Sequence, residues 1–160
     1  AREAFAALDA EIAGLRASQQ PDGGWRFGAK AGPQASLGDA GDAVCGIASH
    51  AAWMLLRHAR VTGDPRSREA GRRAVAFLRR FHLPRGASVW ECPIYEPDIL
   101  AAGWNVAAGV EGYLATADPA FVDEARYWAE RALPFVYLWD RPERPAMRGA
   151  SIATYGTTFY

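Results

Sequence analysis

The same four-residue junction, Thr-(Gly or Ala)-Asp-Pro, occurs at residues 62–65 and again 54 residues later at 116–119. In each copy an apolar helical periodicity runs up to the junction, and a second one starts directly after it. Asp followed by Pro suits a helix start, because the carboxylate accepts from first-turn N–H groups and Pro needs no N–H at the first helical position. The repeat therefore predicts two αα-hairpins separated by a long irregular crossover.

Apolar residues at spacings of three and four predict five helices. The first covers about residues 3–18, and its apolar stripe is Phe5, Leu8, Ile12 and Leu15. The stripes of the other four are Val44, Ile47, Ala48, Ala51 and Leu55; Ala70, Ala74, Phe77, Leu78 and Phe81; Ile99, Ala102, Val106, Val110 and Tyr113; and Phe121, Ala125, Trp128 and Ala132. Short extended pieces are expected only near 88–90 and 152–155. The predicted fold class is all-α, a tandem set of antiparallel αα-hairpins.

Composition narrows the possible functions. The 160 residues suffice for one domain, and 18 basic against 18 acidic side chains give no net charge that would favour nucleic acid. The most hydrophobic windows, 43–56 and 99–110, are too short and too often interrupted for a membrane span, so we expect a soluble protein. Cys45 and Cys92 form no CxxC pair, and no metal or other cofactor is predicted.

The ends of the chain suggest a piece of something longer. Ala1 begins without an initiator Met in the middle of a helical pattern, and Tyr160 ends an aromatic, Thr-rich stretch that no further element closes. We therefore expect residues 1–160 to form part of a larger helical domain that is truncated at both ends.

The segment from Gln19 to Trp25, QQPDGGW, resembles the helix-end motif of α/α-toroid proteins such as terpene cyclases and protein prenyltransferase β subunits. Its local physical sense is clear, because the two glycines permit a tight turn, the Gln amide can tie the helix end to the next loop, and the Trp ring can pack on a neighbouring hairpin. The resemblance implies a partial toroid of about five helices over residues 1–160.

The second half is similar to the six-hairpin (α/α)6 glycosidases and polysaccharide lyases. The residues that carry this similarity are Trp90-Glu91-Cys-Pro-Ile-Tyr95-Glu96-Pro97-Asp98, the following T-x-D-P hairpin, Trp128-Ala129 and Phe135-Val-Tyr-Leu-Trp139. In that group a glycan lies across the long crossovers at one end of the toroid. Carboxylates serve as acid and base in the hydrolases, and Tyr with His or Asn serves in the lyases. The resemblance thus implies carbohydrate processing, with an oligosaccharide or polysaccharide as substrate.

Three carboxylates of the second crossover are the catalytic candidates, because glycosidic cleavage needs a protonated acid and a second carboxylate. They are Glu91, Glu96 and Asp98. Sugars stack on aromatic faces and bond to polar groups, so the candidate substrate-binding residues are Asp22, Trp25, Trp90, Tyr95, Trp104, Asn105 and Tyr155. A structural alternative exists for several of them: Glu96 or Asp98 can cap the fourth helix, and Asp22 and Trp25 can serve only the turn.

Three further patterns have structural interpretations. Asp39 and Asp42 precede the second helix. We expect one of them to cap that helix, while the other can face the glycan-binding cleft that the resemblance implies. Residues 57–85 contain nine Arg and two acidic residues, whereas residues 87–124 contain seven acidic residues and no Lys or Arg. We expect these two segments to pack together and compensate in charge, although a basic helix can also bind an acidic polysaccharide or phosphate. Trp53 is interpreted as a core residue, and His50 as a helix-face histidine.

Two other functional classes remain open. A terpene cyclase or prenyltransferase-like enzyme predicts an apolar, aromatic inner surface with Trp25 pointing inward. A non-catalytic α-hairpin scaffold predicts that all the crossover carboxylates are caps or surface salt bridges.

Overall fold

The computed structural model describes residues 2–89 and 92–136, and the side chains within those ranges except at 2–4, 33 and 34. Five α-helices occur in this part of the chain: α1 (Arg2–Ser18), α2 (Cys45–Thr62), α3 (Pro65–Leu78), α4 (Ile99–Thr116) and α5 (Ala120–Ala132). Short 3-10 helices cover Gly32–Leu37 and Leu133–Phe135. The described ranges contain no β-sheet, only an isolated bridge between Arg85 and Pro97, so the all-α prediction is confirmed.

The helices form two antiparallel hairpins, α2–α3 and α4–α5, which join along α2 and α4. Both of these helices begin at the same end of the molecule. Gly46, at the start of α2, donates its N–H to the carbonyl of Arg85, and Asp98, just before α4, donates to the carbonyl of Pro84. The long connection from α3 therefore carries the chain back to the starting end, so that α2 and α4 lie side by side and parallel.

The two predicted junctions form the same turn. In the first, Gly63 adopts a left-handed conformation and donates its N–H to the carbonyl of Ala59 at 2.8 Å. Asp64 then caps α3 by accepting from the N–H of Arg66 at 3.1 Å, with Pro65 as the first helical residue. The predicted cap and Pro position are confirmed. Both helix ends are satisfied within four residues, and so short a connection favours an antiparallel hairpin.

The main core lies between the two hairpins and is built largely from small residues on α2 and α4. Its fully buried large side chains include Leu55, Leu56, Leu78 and Trp128. Close helix approach depends on glycine: a Cβ on Gly109 of α4 would lie 2.8 Å from backbone atoms of α5. Small residues at these contacts bring the helix axes together, so that the flanking Leu and Trp side chains interlock.

The apolar stripes predicted for α1 and α4 are partly wrong. On α1, Ile12 is buried, whereas Phe5 is 62% exposed and Leu8 is exposed as well. On α4, Val110 and Tyr113 are exposed, because the face that meets α2 and α5 consists mainly of Ala and Gly. The sequence pattern weighted large apolar residues, but the closest contacts are made by small ones.

A second difference concerns the end of α3. This helix ends at Leu78, before the Phe81 that was predicted to belong to it, and Phe81 packs from the following turn onto the core.

The predicted charge compensation between the two halves is confirmed. Arg60 of α2 donates to Glu111 of α4 at 2.6 Å, and Arg57 lies 3.4 Å from the same carboxylate. Arg79 at the end of α3 donates to Glu124 of α5 at 2.9 Å. The basic and acidic segments therefore pair between α2 and α4 and between the end of α3 and α5. Separately, none of the described helices is long and apolar enough to cross a membrane.

Candidate functional site

The chain has two long connections, the first over residues 19–44 between α1 and α2 and the second over residues 79–98 between α3 and α4. They meet at the end of the molecule where α2 and α4 begin. The N–H of Ile94, in the second connection, donates to the carbonyl of Leu37 in the first at 2.7 Å. Ile94 and Leu37 are buried together with Phe27 and Val44 in a small apolar cluster separate from the main core. This cluster fixes one connection on the other, so that their polar residues share one rim, which we call the crossover rim.

Tyr95 links the two connections on the polar side of the crossover rim. Its hydroxyl donates to Oδ2 of Asp42 at 2.5 Å and accepts from the N–H of Asp39 at 3.1 Å. The hydrogen bond to Asp42 raises the pKa of the Tyr95 hydroxyl. The expectation that Asp39 or Asp42 caps α2 is wrong, because the N-cap position is Val44 and no side chain caps it. Asp42 is instead engaged by the phenol of Tyr95.

Of the three candidate catalytic carboxylates, Glu96 and Asp98 lie in the part of the chain that the structure describes, and they differ sharply. Asp98 is buried, accepts from the N–H of Leu100 at the start of α4, and accepts from the N–H groups of Ala87 and Ser88 at 2.9 and 2.8 Å. This is the capping alternative, and it is confirmed. Glu96 is exposed on the crossover rim.

Three further candidates, Trp90, Glu91 and Tyr155, lie outside the described residues. Their assignment as catalytic or substrate-binding residues stays a prediction.

The QQPDGGW segment ties the end of α1 to α3. Nε2 of Gln19 donates to the carbonyls of Gly23 and Ala70, each at 2.9 Å. Gly23 has a φ of 89°, and a Cβ at Gly24 would overlap the ring of Phe77. The predicted roles of the glutamine and the glycines are therefore confirmed, because the tight turn brings the backbone directly against α3.

Asp22 and Trp25 have structural partners within the same segment. Asp22 forms ion pairs with Arg26 at 2.5 Å and Arg80 at 2.9 Å, and these side-chain contacts, that with Arg26 first, lower its pKa. Trp25 is buried in the main core, with its indole N–H donating to the hydroxyl of Ser18 at 3.1 Å. These contacts support the turn, which is the structural role considered for both residues.

Trp104 belongs to an aromatic cluster that α2 and α4 form together. Its ring lies 4.4 Å from the ring of His50 and 4.9 Å from the ring of Trp53, measured between centroids. His50 is exposed, while Trp53 and Trp104 are partly exposed. Partial desolvation of its ring lowers the pKa of His50, while the charge of Glu11 acts in the opposite direction. We call these three residues the aromatic patch.

The aromatic patch is at the same end of the molecule as the crossover rim. His50 and Trp104 are each five residues past the first residue of their helix, which is about 8 Å of helical rise. Their sequence separation of 54 residues equals that of the two junctions, so the repeat places them side by side. The sequence pattern indicated Trp104 but not its partners His50 and Trp53, although this constant separation was a usable signal.

The neighbouring residue Asn105 faces the other way. It is fully buried, and its Nδ2 donates to the carbonyl of Ala101 at 2.8 Å. It lies inside the helix packing rather than on the surface that carries Trp104.

The described site therefore has two parts: three ring systems in mutual contact on α2 and α4, and a rim that carries Tyr95, Asp39, Asp42 and Glu96. Flat, partly exposed rings can stack on the apolar face of a ligand, and the rim offers carboxylate oxygens as acceptors. Comparison with known proteins adds no assignment, since no protein-family model, curated protein or solved structure matches this chain.

Proposed function

We propose that this chain is part of an α/α toroid that binds and processes a glycan, with sugar rings on the aromatic patch and the reacting bond at the crossover rim. The observation that carries the proposal is the meeting of the two connections at the end where α2 and α4 begin, with Tyr95 bonded to Asp42. That meeting gathers polar groups from distant parts of the sequence at the end of the molecule that also carries three rings in mutual contact.

The order of the helices supports a toroid, a fold in which inner and outer helices alternate along the chain. α2 and α4 run parallel as direct neighbours, and each is followed by an antiparallel partner, α3 or α5. In such an arrangement α2 and α4 are the inner helices. Repeating the unit would place all long connections at one rim, where an extended ligand can cross several of them.

The chemistry of the site supports a sugar ligand. A pyranose has an apolar face formed by C–H groups and an equator of hydroxyls, which matches an aromatic platform bordered by hydrogen-bond acceptors. Asp39, Asp42 and Glu96 provide acceptors on the rim, and the phenol of Tyr95 lies among them.

For the cleavage step we propose Glu91 and Glu96 as the acid and base. In hydrolysis, one protonated carboxyl group gives its proton to the leaving glycosidic oxygen, while the second carboxylate activates water or attacks the anomeric carbon. Asp98 is assigned the supporting role, since its oxygens already accept three backbone N–H groups. In that role it holds the start of α4 and residues 87 and 88 in place beneath the rim.

Binding is tested first, on the full chain. Oligosaccharide binding is measured by calorimetry for the protein and for Trp104→Ala, with Tyr113→Ala as the matched control on the opposite side of the same helix. We expect Trp104→Ala to weaken binding at least tenfold and Tyr113→Ala to leave it unchanged. Equal binding by all three proteins would remove the aromatic patch from the proposal.

Cleavage is tested separately with Glu91→Gln and Glu96→Gln in the protein that shows glycan cleavage. Each change keeps the side-chain shape but removes the titratable group, so we expect a large loss of kcat with little effect on KM. Cleavage that survives both changes would exclude these residues and leave a binding module or scaffold.

A further inference from the structure

We infer that residues 149–160 pack on an exposed side of α4, which we call the open face and define as Gly103, Val110, Tyr113 and Leu114. These residues lie at positions i, i+7, i+10 and i+11, so they share one side of the helix. All four are exposed. The inference concerns packing and does not depend on the glycan assignment.

The open face is apolar and lacks a cover among the described residues. Val110, Tyr113 and Leu114 are 46%, 43% and 55% exposed. Glu111, the one charged residue in the sequence of α4, is buried and bonded to Arg60 of α2. In the described part of the chain the neighbours of α4 are α2, α3 and α5. A helix that is apolar on every side is typically covered by protein on every side, so a further segment is needed here.

The chain returns to α4 when α5 ends. α5 runs antiparallel to α4, so the turn Leu133–Phe135 lies at the end where α4 begins. The 18 residues of α4 rise about 27 Å, and twelve extended residues span up to about 40 Å. Residues 149–160 are therefore long enough to follow the open face from end to end, after a link of twelve residues from Val136.

The helix repeat places the same stretch beside α4. α2 begins at Cys45 and α4 begins at Ile99, 54 residues later, so one further period falls at residue 153. Because α4 lies beside α2, a following unit lies on the other side of α4. Tyr113 points to that side, since it is about 200° around the helix from Glu111, which faces α2.

The distribution of charge favours residues 149–160 over the preceding residues. Residues 137–148 contain five charged side chains, whereas residues 149–160 contain none. Packing the second stretch on an apolar face therefore removes no charge from water. A tethered segment also has an effective concentration in the millimolar range, which favours it over a second copy of the chain on the same face.

Hydroxyl-radical footprinting of the unaltered full chain tests the inference. Val110 on the open face and Val122 on α5 are a matched pair, because both are valines and each is 46% exposed. We expect Val110 to be labelled at least three times more slowly than Val122, by the same factor at every protein concentration. Equal labelling would overturn the inference. Protection that appears only at high protein concentration would overturn it as well, since the cover would then be a second copy.

A charged variant identifies the covering segment. Ile152→Asp combined with Tyr155→Asp places carboxylates that an apolar face cannot solvate, so labelling of Val110 should rise to that of Val122. Ala146→Asp, in the stretch that already carries charges, is the matched control and should keep Val110 protected. If protection survives the double substitution, another part of the protein covers α4 and the inference fails. Misfolding of the double variant would change the labelling of Val122 too, and the comparison in the unaltered chain would still decide.

Discussion

At residues 62–65 and 116–119 the chain makes the same turn twice, with different neighbours around it. The hydroxyl of Thr62 donates to the carbonyl four residues earlier at 2.7 Å, and Thr116 does the same at 2.7 Å. Each threonine also accepts from the N–H of the following aspartate at 3.2 Å. The internal hydrogen bonds of the turn therefore depend on its four residues and not on its place in the fold.

The surroundings of the two aspartates differ. Asp64 is contacted by Arg16 of α1, by the hydroxyl of Ser67 at 3.0 Å and by the side chain of Arg66. Asp118 accepts from the N–H of Ala120 at 3.0 Å and has Arg72 at 3.5 Å. Each junction thus contacts one further helix, α1 at the first and α3 at the second, but the carboxylate of Asp64 has more side-chain partners than that of Asp118. A short motif can specify a turn, while neighbouring elements decide how much the turn contributes to stability.

The two hairpins also place their close contacts on opposite arms. In the first hairpin, Gly71 lies on the second arm, and a Cβ there would be 2.6 Å from the side chain of Leu56. In the second hairpin, Gly109 and Gly112 lie on the first arm, against Phe121 and Ala125. The small residues that permit close packing therefore lie on α3 in the first hairpin and on α4 in the second.

The largest effect is expected from Gly109→Ala. The added methyl group would lie 2.8 Å from the backbone oxygen of Phe121 and the backbone nitrogen of Ala125, so it can be accommodated only if α5 moves. We expect a loss of about 2–3 kcal/mol in the free energy of unfolding, measured by urea denaturation.

Gly103→Ala is the control on the same helix. No atom lies within 4 Å of the added methyl group, so better helix propensity should stabilise the protein by about 0.5–1 kcal/mol. Equal effects of the two substitutions would mean that α4 and α5 are not in close contact.

The next largest effect separates the two aspartates. Asp64→Ala removes a helix cap together with the contacts to Ser67 and Arg16, and we expect a loss of about 2 kcal/mol. Asp118→Ala removes a cap with one distant ion pair, and we expect about 1 kcal/mol. Both losses in the free energy of unfolding are to be measured by urea denaturation at neutral pH. A larger loss at Asp118 would show that the extra contacts of Asp64 add nothing.

The turns and helices were predictable from sequence because their causes are local. Asp64 and Pro65 encode a helix start whatever lies around them. Exposure was less predictable, as Val110 and Tyr113 show, because it depends on which face a neighbouring helix occupies. For the same reason Trp104 was recognised as a candidate, whereas its contact with His50 on another helix was not. The pairing of Asp42 with Tyr95 joins residues 53 positions apart and leaves no local signal.

A smaller effect on stability, of opposite sign in the two junctions, is expected at the residue that ends the first helix in a left-handed backbone conformation. Gly63 has a φ of 76° and Ala117 a φ of 57°, a conformation that costs alanine about 1 kcal/mol. We expect Gly63→Ala to destabilise the protein by about 1 kcal/mol. Ala117→Gly should stabilise it by about 0.5 kcal/mol, because the relief of strain exceeds the added entropy of the unfolded chain. Thermal unfolding of both variants measures the difference, and a change of the same sign in both would contradict it.

The smallest effect is a pH dependence of the free energy of unfolding, which we expect to arise from Asp64 in the first junction. Burial acts to raise the pKa of Asp64, but hydrogen bonds from the backbone and side chain of Arg66 and from Ser67 outweigh it and lower the pKa to about 2. Because this value is below the ordinary 3.8, the stabilisation is complete above about pH 4 and is lost as the pH falls through about 2. After allowance for solvent screening we expect about 0.5 kcal/mol to be lost between pH 4 and pH 3. Asp64→Asn should lose this part of the pH dependence in urea titrations, and Asp118→Asn should keep it. If Asp64→Asn and the unaltered chain lose stability in parallel over this range, the carboxylate of Asp64 is not the group that responds.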